Sequence, residues 1–145
     1  MDEITFHVPG QPVPQPRHKI STRGGFGRAY IPARHPINAY REAIALAAKL
    51  AAKTRREGGG VRLEISFTFE RPPSHWTKSG LAKGAPTIPP KCDWDNLGKA
   101  VSDAITDSKS LWYDDDQVVE AIVRKRYCRR GEPPGTTVTV QGVPP

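Results

Sequence analysis

Cysteine is scarce in this sequence, which holds only Cys92 and Cys128 among its 145 residues. The two stand far apart and form no C-x-x-C pair, so neither a zinc site nor a disulfide framework is indicated. Long apolar runs are also absent: no segment approaches the ~18 residues of a membrane span, and the opening MDEITFHVPG does not read as a secretory signal. These absences predict a protein of the reducing cytoplasm with no membrane partner.

Negative charge is in the minority, since 22 Lys and Arg face 15 Asp and Glu and give a formal net charge of +7. Such a balance favours a polyanionic partner such as nucleic acid, although the same excess also serves to keep a small domain in solution. The 15 prolines and 13 glycines stay below the ~25–30% share that marks low-complexity chains. A length of 145 residues suits one domain, 1–145, with a single core.

Apolar periodicity predicts elements in the order strand, helix, strand, helix, strand, strand. The strands are predicted at 4–8, 61–70, 117–128 and 136–142, one helix of about five turns starts at Pro36, and the second starts at Asp95 or Asn96. The buried faces are predicted to hold Ile37, Tyr40, Ile44, Ala47 and Ala51 in the first helix, and Val119, Ala121, Val123 and Tyr127 in the third strand. This order lacks the regular alternation of a doubly wound fold, so we expect an α+β two-layer sandwich, a mixed sheet with two helices on one face.

Two long segments interrupt these elements: a basic Pro/Gly-rich arm, 9–35, and a polar loop, 72–92. Loops of this length in a compact domain are usually functional or disordered. The arm carries Phe26 and Tyr30 among its basic residues, so it could track phosphates and stack on exposed bases, or it could be a solvated loop. Trp76, in the loop, fits an anchor of that loop equally well. The predicted DNA contacts are Arg17, Lys19, Arg23, Arg28, Lys78, Lys83 and Lys91.

Most of the aspartates lie in one stretch, KCDWDNLGKAVSDAITDSKSLWYDDDQVVE. Asp93 and Asp95 are two apart, so in an extended segment both side chains point to one face, which is a metal-ligand spacing. Asp95 or Asn96 is predicted as the N-cap of the second helix, because an apolar helical pattern follows directly. Lys99, four residues after Asp95, shares with it the helix face opposite the apolar stripe.

A second acidic cluster, Asp114, Asp115 and Asp116, immediately precedes the third predicted strand. Carboxylates at a helix start and at a strand entry can converge at one sheet edge, where two of them ~4 Å apart repel by roughly 4 kcal/mol at an effective dielectric of about 20. A convergent trio therefore needs a cation or must take up protons, and oxygen ligands alone select Mg²⁺ or Mn²⁺. Taken singly, these residues also fit structural roles: Asp95 an N-cap, Lys99 its i+4 surface partner, and Asp114 to Asp116 an acidic turn. Asp103 likewise fits a solvated helix position.

An acidic metal site in a basic protein indicates phosphodiester hydrolysis. Basic residues would hold the backbone of the nucleic acid, while the metal activates water and stabilises the charge that develops on phosphorus. Lys99 would add a fixed positive charge beside the acids.

The motifs DWDNLGKAVSDAI and LWYDDDQVVE resemble those of the RusA-type crossover junction endodeoxyribonucleases, Holliday junction resolvases common in phages and prophages. The family signature runs D-x-D-N-L-x-K-A, a helix, then D-D-x-Q-V. Upstream, VPGQPVPQPRHKISTRGGFGRAYIPARH is similar to the family's amino-terminal Gly-Pro, Pro-Arg and Tyr-x-P elements, and HWTKSGLAKG to its loop before the acidic motif. The resemblance thus covers nearly the whole chain.

The resemblance implies an activity and a set of site residues. The activity is Mg²⁺-dependent resolution of four-way DNA junctions by a homodimer, in DNA recombination, repair or phage DNA processing within the cytoplasm of a bacterial host, with no small-molecule cofactor. Mn²⁺ is a possible substitute for Mg²⁺, and Lys99 is the implied essential lysine. The implied metal ligands are Asp93, Asp95 and Asp115, with Asp114 and Asp116 in reserve.

Two other classes of function stay open on the residues alone. A junction-binding or single-strand-DNA-binding protein without catalysis would use the basic charge and leave the acids structural. A metal-dependent phosphatase of small substrates would use the acids and leave the basic arm without a role. Comparing a four-way junction, a linear duplex and a nucleotide phosphate as substrates under one metal condition separates the three classes.

Overall fold

The computed structural model describes residues 1–16, 19–21, 27–89 and 92–145, with the backbone alone at 19–21 and 28–30. In chain order the elements are β1 (Ile4–Pro9), β2 (Lys19–Ser21), β3 (Arg28–Tyr30), α1 (Pro36–Ala51), β4 (Val61–Phe69), β5 (Trp76–Thr77), β6 (Gly80–Leu81), α2 (Trp94–Ser108), β7 (Val118–Tyr127) and β8 (Gly135–Gly142). One-turn 3₁₀ helices lie at Pro73–His75 and Asp115–Gln117. The six long elements follow the predicted order.

The main sheet has four strands in the order β1-β8-β4-β7. β4 and β7 run parallel, whereas β8 is antiparallel to both β1 and β4. The two helices pack on each other and cover the apolar face of this sheet, so the predicted α+β fold with a mixed sheet and two helices on one face is confirmed. The short hairpins β2–β3 and β5–β6 are not predicted, because strands of two or three residues show too little alternation.

The core consists of apolar rows that cross the sheet beneath the helices. Phe6 lies opposite Val138, which lies opposite Ile65 on its other side, and all three are buried. The one buried polar residue among those described, Thr136, is satisfied because its hydroxyl forms a 2.6 Å hydrogen bond with the hydroxyl of Tyr40. The sheet's other face carries the polar residues of the same alternating strands.

α1 begins where the sequence predicts and ends earlier. Pro36 occupies the first turn, where its missing N–H costs nothing, and His35 caps the helix by accepting a 3.0 Å hydrogen bond from the backbone N–H of Ile37. The helix ends at Ala51 because Ala52 is extended, so it has 16 residues and falls short of five turns. Its buried side chains are Ile37, Tyr40, Ile44 and Ala48, whereas the predicted Ala47 and Ala51 are only partly buried.

α2 makes the crossing that joins the parallel strands β4 and β7, which a tight turn cannot connect. It therefore runs antiparallel to β7: Lys125, near the end of β7, donates to the carbonyl of Cys92 at 2.7 Å, and a methyl group at Gly98 would lie 3.2 Å from Val123. The start of α2 consequently lies beside the end of β7. The 3₁₀ helix Asp115–Gln117, in contrast, leads directly into the start of β7.

The N-cap of α2 is Asp93, which corrects the prediction of Asp95 or Asn96. Asp93 is extended and its carbonyl accepts from the N–H of Leu97 at 3.1 Å, so the helix starts one residue later at Trp94. Asp95 lies in the first turn, where its carboxylate accepts from the N–H of Asn96 at 3.0 Å. A carboxylate in this turn also interacts favourably with the helix dipole.

The start of β7 departs from the predicted alternation. Val118 lies opposite Val61 and Glu120 opposite Arg62, so Val119 is an extra residue at a β-bulge and its side chain is 62% exposed. The prediction that Val119 belongs to the buried face is therefore wrong. Ala121 is also exposed, since β7 is an edge strand, while Val123 and Tyr127 are partly buried against the core.

In the ranges that the structure describes, neither helix has the length and apolar character needed to cross a membrane.

Candidate active site

The second acidic cluster forms a compact acidic turn, here defined as Asp114 with the 3₁₀ helix Asp115–Gln117. Asp114 caps the turn by accepting from the N–H of Asp116 at 3.4 Å. The Gln117 amide oxygen accepts from the N–H groups of Tyr113 and Asp114 at 2.8 and 3.0 Å, which completes a capping box. All three aspartates are exposed, so the turn presents its carboxylates to solvent.

The acidic turn is tied to the rest of the fold on both sides. The amide nitrogen of Gln117 donates to the carbonyls of Arg56 and Gly59 at 2.9 and 3.2 Å, which joins the turn to the connection between α1 and β4. Just before the turn, Trp112 is fully buried and its indole N–H donates to the Thr106 hydroxyl of α2 at 2.8 Å. These hydrogen bonds fix the position of the acidic turn relative to α2 and to the connection before β4.

The carboxyl groups within the turn have divergent pKa values. The hydrogen bond between the side chains of Asp114 and Asp115 lowers the pKa of Asp114 and raises that of Asp115. Repulsion by Asp114, Asp116 and Asp103 raises the pKa of Asp115 further, while the positive charge of Lys109 lowers that of Asp114. Such crowding of like charges is relieved by a proton or by a cation.

The outer face of α2 extends towards this turn. Lys99, whose side chain is 61% exposed, forms a 3.3 Å ion pair with Asp103, and Asp103 is close enough to Asp115 to affect its pKa. Asp103 is therefore more than the solvated helix position that the sequence pattern favours. Its signal in the sequence was its spacing, four residues beyond Lys99 on the face that also carries Asp95.

The structure does not bring the two acidic motifs together within one chain. Asp95 lies eight residues before Asp103, a separation of about 12 Å along a helix that rises ~1.5 Å per residue. Asp93 is farther still, beside the end of β7, while Asp115 stands just before its start. Within the described residues, no group of three or more His, Cys, Asp or Glu is placed to hold a metal ion.

The donor chemistry nevertheless fits a hard divalent cation. Both motifs offer carboxylate oxygens, without His or Cys, and such ligands suit Mg²⁺ and Mn²⁺. The acids of the turn are exposed, and so are Asp95 and Lys99. Each motif thus has accessible ligands, but neither supplies a complete set by itself.

The predicted DNA contacts are only partly within the described chain. Arg17, Arg23 and Lys91 lie outside it, and Lys19 and Arg28 are described only as backbone of β2 and β3. Lys78 and Lys83 are exposed on the 72–92 loop. The basic arm contacts the start of α2, because the N–H of Gln15 donates to the carbonyl of Asn96 at 3.1 Å.

Gln117 is the structural residue of the site that the sequence analysis did not single out. Its four hydrogen bonds, two accepted and two donated, hold the acidic turn. A signal was present, since Asp114 followed three residues later by Gln117 is a capping-box spacing.

A model for endodeoxyribonucleases, described as Endodeoxyribonuclease RusA, matches residues 9–141, which include both acidic motifs. The chain therefore belongs to the RusA family, the Holliday junction resolvases that bind and cut branched DNA. No curated protein sequence matches the chain closely enough to count as a relative.

Proposed function

We propose that this protein resolves four-way DNA junctions by divalent-metal-dependent hydrolysis of phosphodiesters in paired strands. The observation that carries the proposal is the RusA family match across both acidic motifs. The exposed carboxylates of α2 and of the acidic turn support it, as does the net charge of +7. Recombination, repair and phage DNA processing in a bacterial cytoplasm are the settings that suit such an activity.

Different residues of the chain would bind the metal ion and the DNA. Asp93, Asp95 and Asp115 would hold Mg²⁺ or Mn²⁺, with Asp114 and Asp116 in reserve. The ion would activate water and stabilise charge on the phosphate. Lys99 can turn from Asp103 to the scissile phosphate, because its side chain is largely exposed and an exposed ion pair is weak.

A homodimer is the arrangement that best reconciles the separated motifs with a single metal site. In one chain the start of α2 and the acidic turn lie at opposite ends of β7. Two copies related by a two-fold axis could bring the start of α2 in one protomer to the acidic turn of its partner, and this would happen twice. Two such sites would suit two symmetry-related cuts.

The proposal is tested with Asp95→Asn and Lys99→Ala on a synthetic four-way junction in Mg²⁺. We expect each variant to cut at least about 100-fold more slowly, since groups that stabilise developing charge are worth ~10²–10³ in rate, while junction binding persists. The matched controls are Asp107→Asn, which changes an acid of α2 that pairs with Arg41 at 2.6 Å, and Lys49→Ala on α1. Undiminished cutting by both site variants would refute the assignment.

The alternative function is a DNA-binding protein without catalysis. The basic arm and the exposed basic loop residues favour it equally, because phosphate contacts need no metal. It requires that neither Mg²⁺ nor Mn²⁺ converts junction binding into cleavage, whereas the leading proposal requires that one of them does.

A further inference from the structure

An open cleft of about 1090 Å³ lies beyond the ends of the parallel strands β4 and β7, away from the acidic turn. Its walls come from the start of the arm, the segment that follows β4, and the connection between β7 and β8. Hydrogen bonds join these walls. The N–H of Gly10 donates to the carbonyl of Pro134 at 3.1 Å, and the N–H of Cys128 to the carbonyl of Phe69 at 2.8 Å. The side-chain oxygen of Gln11 accepts from the N–H of Glu70 at 3.1 Å. The walls of the cleft are therefore held to one another by hydrogen bonds.

Guanidinium groups outnumber carboxylates in the cleft, since Arg71, Arg129 and Arg130 line it together with Glu70 and Glu132. Glu132 is already engaged, since Arg126 donates to both of its oxygens at 2.6 and 2.7 Å and holds its pKa at about 2. Arg129 and Arg130, in contrast, are exposed, and within the described part of the chain neither forms an ion pair. Two guanidinium groups are thus free to meet an anion.

The cleft also offers an aromatic surface, Trp76. Arg130 lies over its ring at 5.7 Å from the centroid. The neighbouring pair is tighter: Arg71 lies 4.3 Å from the Tyr127 centroid and also donates to the carbonyl of Pro86 at 2.7 Å, so it holds the loop in place. Arg130 has no such second bond among the described residues, so it can leave the ring for a phosphate while a base takes its place.

We propose that this cleft binds a single strand of DNA, with a base stacked on Trp76 and the adjoining phosphates held by Arg129 and Arg130. Its volume of about 1090 Å³ lies just above the ~300–1,000 Å³ range of small-ligand sites and suits a nucleotide or two. Paired aromatic and basic groups are how proteins hold unpaired strands. The proposal rests on the proposed function and deepens it by naming the part of the branched substrate that lies here, an unpaired strand at the branch point.

The position of the cleft supports this occupant. The end of β7 that borders the cleft also lies beside the start of α2, through the bond from Lys125 to the carbonyl of Cys92. A strand lying in the cleft would therefore pass on the side of the domain where Asp93 and Asp95 stand.

The test measures binding of a fluorescein-labelled oligodeoxythymidine and of a four-way junction without divalent metal. Trp76→Ala should weaken oligonucleotide binding about 5- to 150-fold, and Trp76→Phe should retain most of the affinity, since stacking is worth ~1–3 kcal/mol per base. Arg129→Ala/Arg130→Ala should lower the slope of log affinity against log salt by about 1.4, or ~0.7 for each lost phosphate contact. The double variant alters only exposed side chains, so folding is not at stake.

The matched control is Lys49→Ala/Lys53→Ala, which removes two exposed charges at the far end of α1 and should leave the salt slope unchanged. A second readout is fluorescence in a Trp94→Phe background, where Trp76 is the accessible tryptophan because Trp112 is fully buried. Binding of the oligonucleotide should quench the fluorescence of Trp76. Binding and slopes equal to those of the control, or no quenching, would overturn the proposal. If the parent protein cut no junction but the cleft variants still lost oligonucleotide binding, the cleft proposal would be upheld and the resolvase function refuted.

Discussion

At the scale of single residues, Gln117 connects the backbone of two segments through one amide group. It accepts from the N–H groups that open the acidic turn and donates to two carbonyls of the connection before β4. The charged residues of the turn repel one another, so the turn needs an external support. A neutral amide supplies this support without adding a charge beside the carboxylates.

Gln117→Ala should lower the free energy of unfolding by about 2 kcal/mol, since each net hydrogen bond contributes ~0.5–1.5 kcal/mol and the released groups can partly return to water. Urea denaturation measures the effect, with Gln141→Ala, an exposed position on β8, as control. Junction cleavage should fall more than junction binding, because the turn loses its position while the basic surfaces stay. Equal stability of the two variants would show that these bonds contribute nothing.

At the scale of elements, the connection from β7 to β8 is closed by one ion pair. Arg126 on β7 holds Glu132 through two parallel bonds, and Glu132 also accepts from the N–H of Arg129 at 2.9 Å. These bonds hold the pKa of Glu132 at about 2, below its ordinary value of 4.5. Because the pKa is lower in the folded state, the pair stabilises the fold above the unfolded-state pKa and ceases to do so as pH falls towards 2.

Glu132→Gln should therefore be less stable than the parent by a constant amount from neutral pH down to about pH 5. The difference should then shrink between pH 4.5 and about 2, the ordinary and folded-state pKa values of Glu132. Urea midpoints at a series of pH values measure it, and added salt should reduce it because the pair is partly exposed. A pH-independent difference would mean that the carboxylate charge is not responsible.

The order and type of the long elements could be predicted from the sequence because each shows its own period. Val61 to Phe69 alternate strictly, and Leu97, Val101, Ala104 and Ile105 recur at helical spacing. Periodicity does not report register, so the bulge that exposes Val119 was missed. Nor does it say at which end of a sheet a helix begins. The wide separation of Asp95 from Asp115 follows from the parallel pairing of β4 with β7, which only the folded chain reveals.

At the scale of the whole molecule, the proposed dimer predicts that two inactive variants restore activity when mixed, which sites built by single chains cannot do. Asp95→Asn and Asp115→Asn should each abolish cutting, but their mixture should recover cutting of one strand. A mixed dimer with shared sites has one site with both defects and one intact site. If each chain built its own site, every site in the mixture would carry a defect.

The measurement uses a junction labelled on both cleavable strands, incubated with the two variants after they have exchanged subunits. Nicking of one strand without full resolution is the expected product, since the mixed dimer has one working site. A mixture of Asp95→Asn with Asp93→Asn is the control, because both defects then fall in the same half of the site. No nicking in the first mixture would contradict the shared site.

The crossing of α2 from β4 to β7 gives each chain two incomplete sets of acids at opposite ends of one strand. A lone chain would then hold DNA without damaging it, and cutting would wait for the arrival of a second copy. In dilute solution the rate of cleavage would rise with the square of the protein concentration. The path of one helix would thus protect intact DNA from a nuclease present in small amounts.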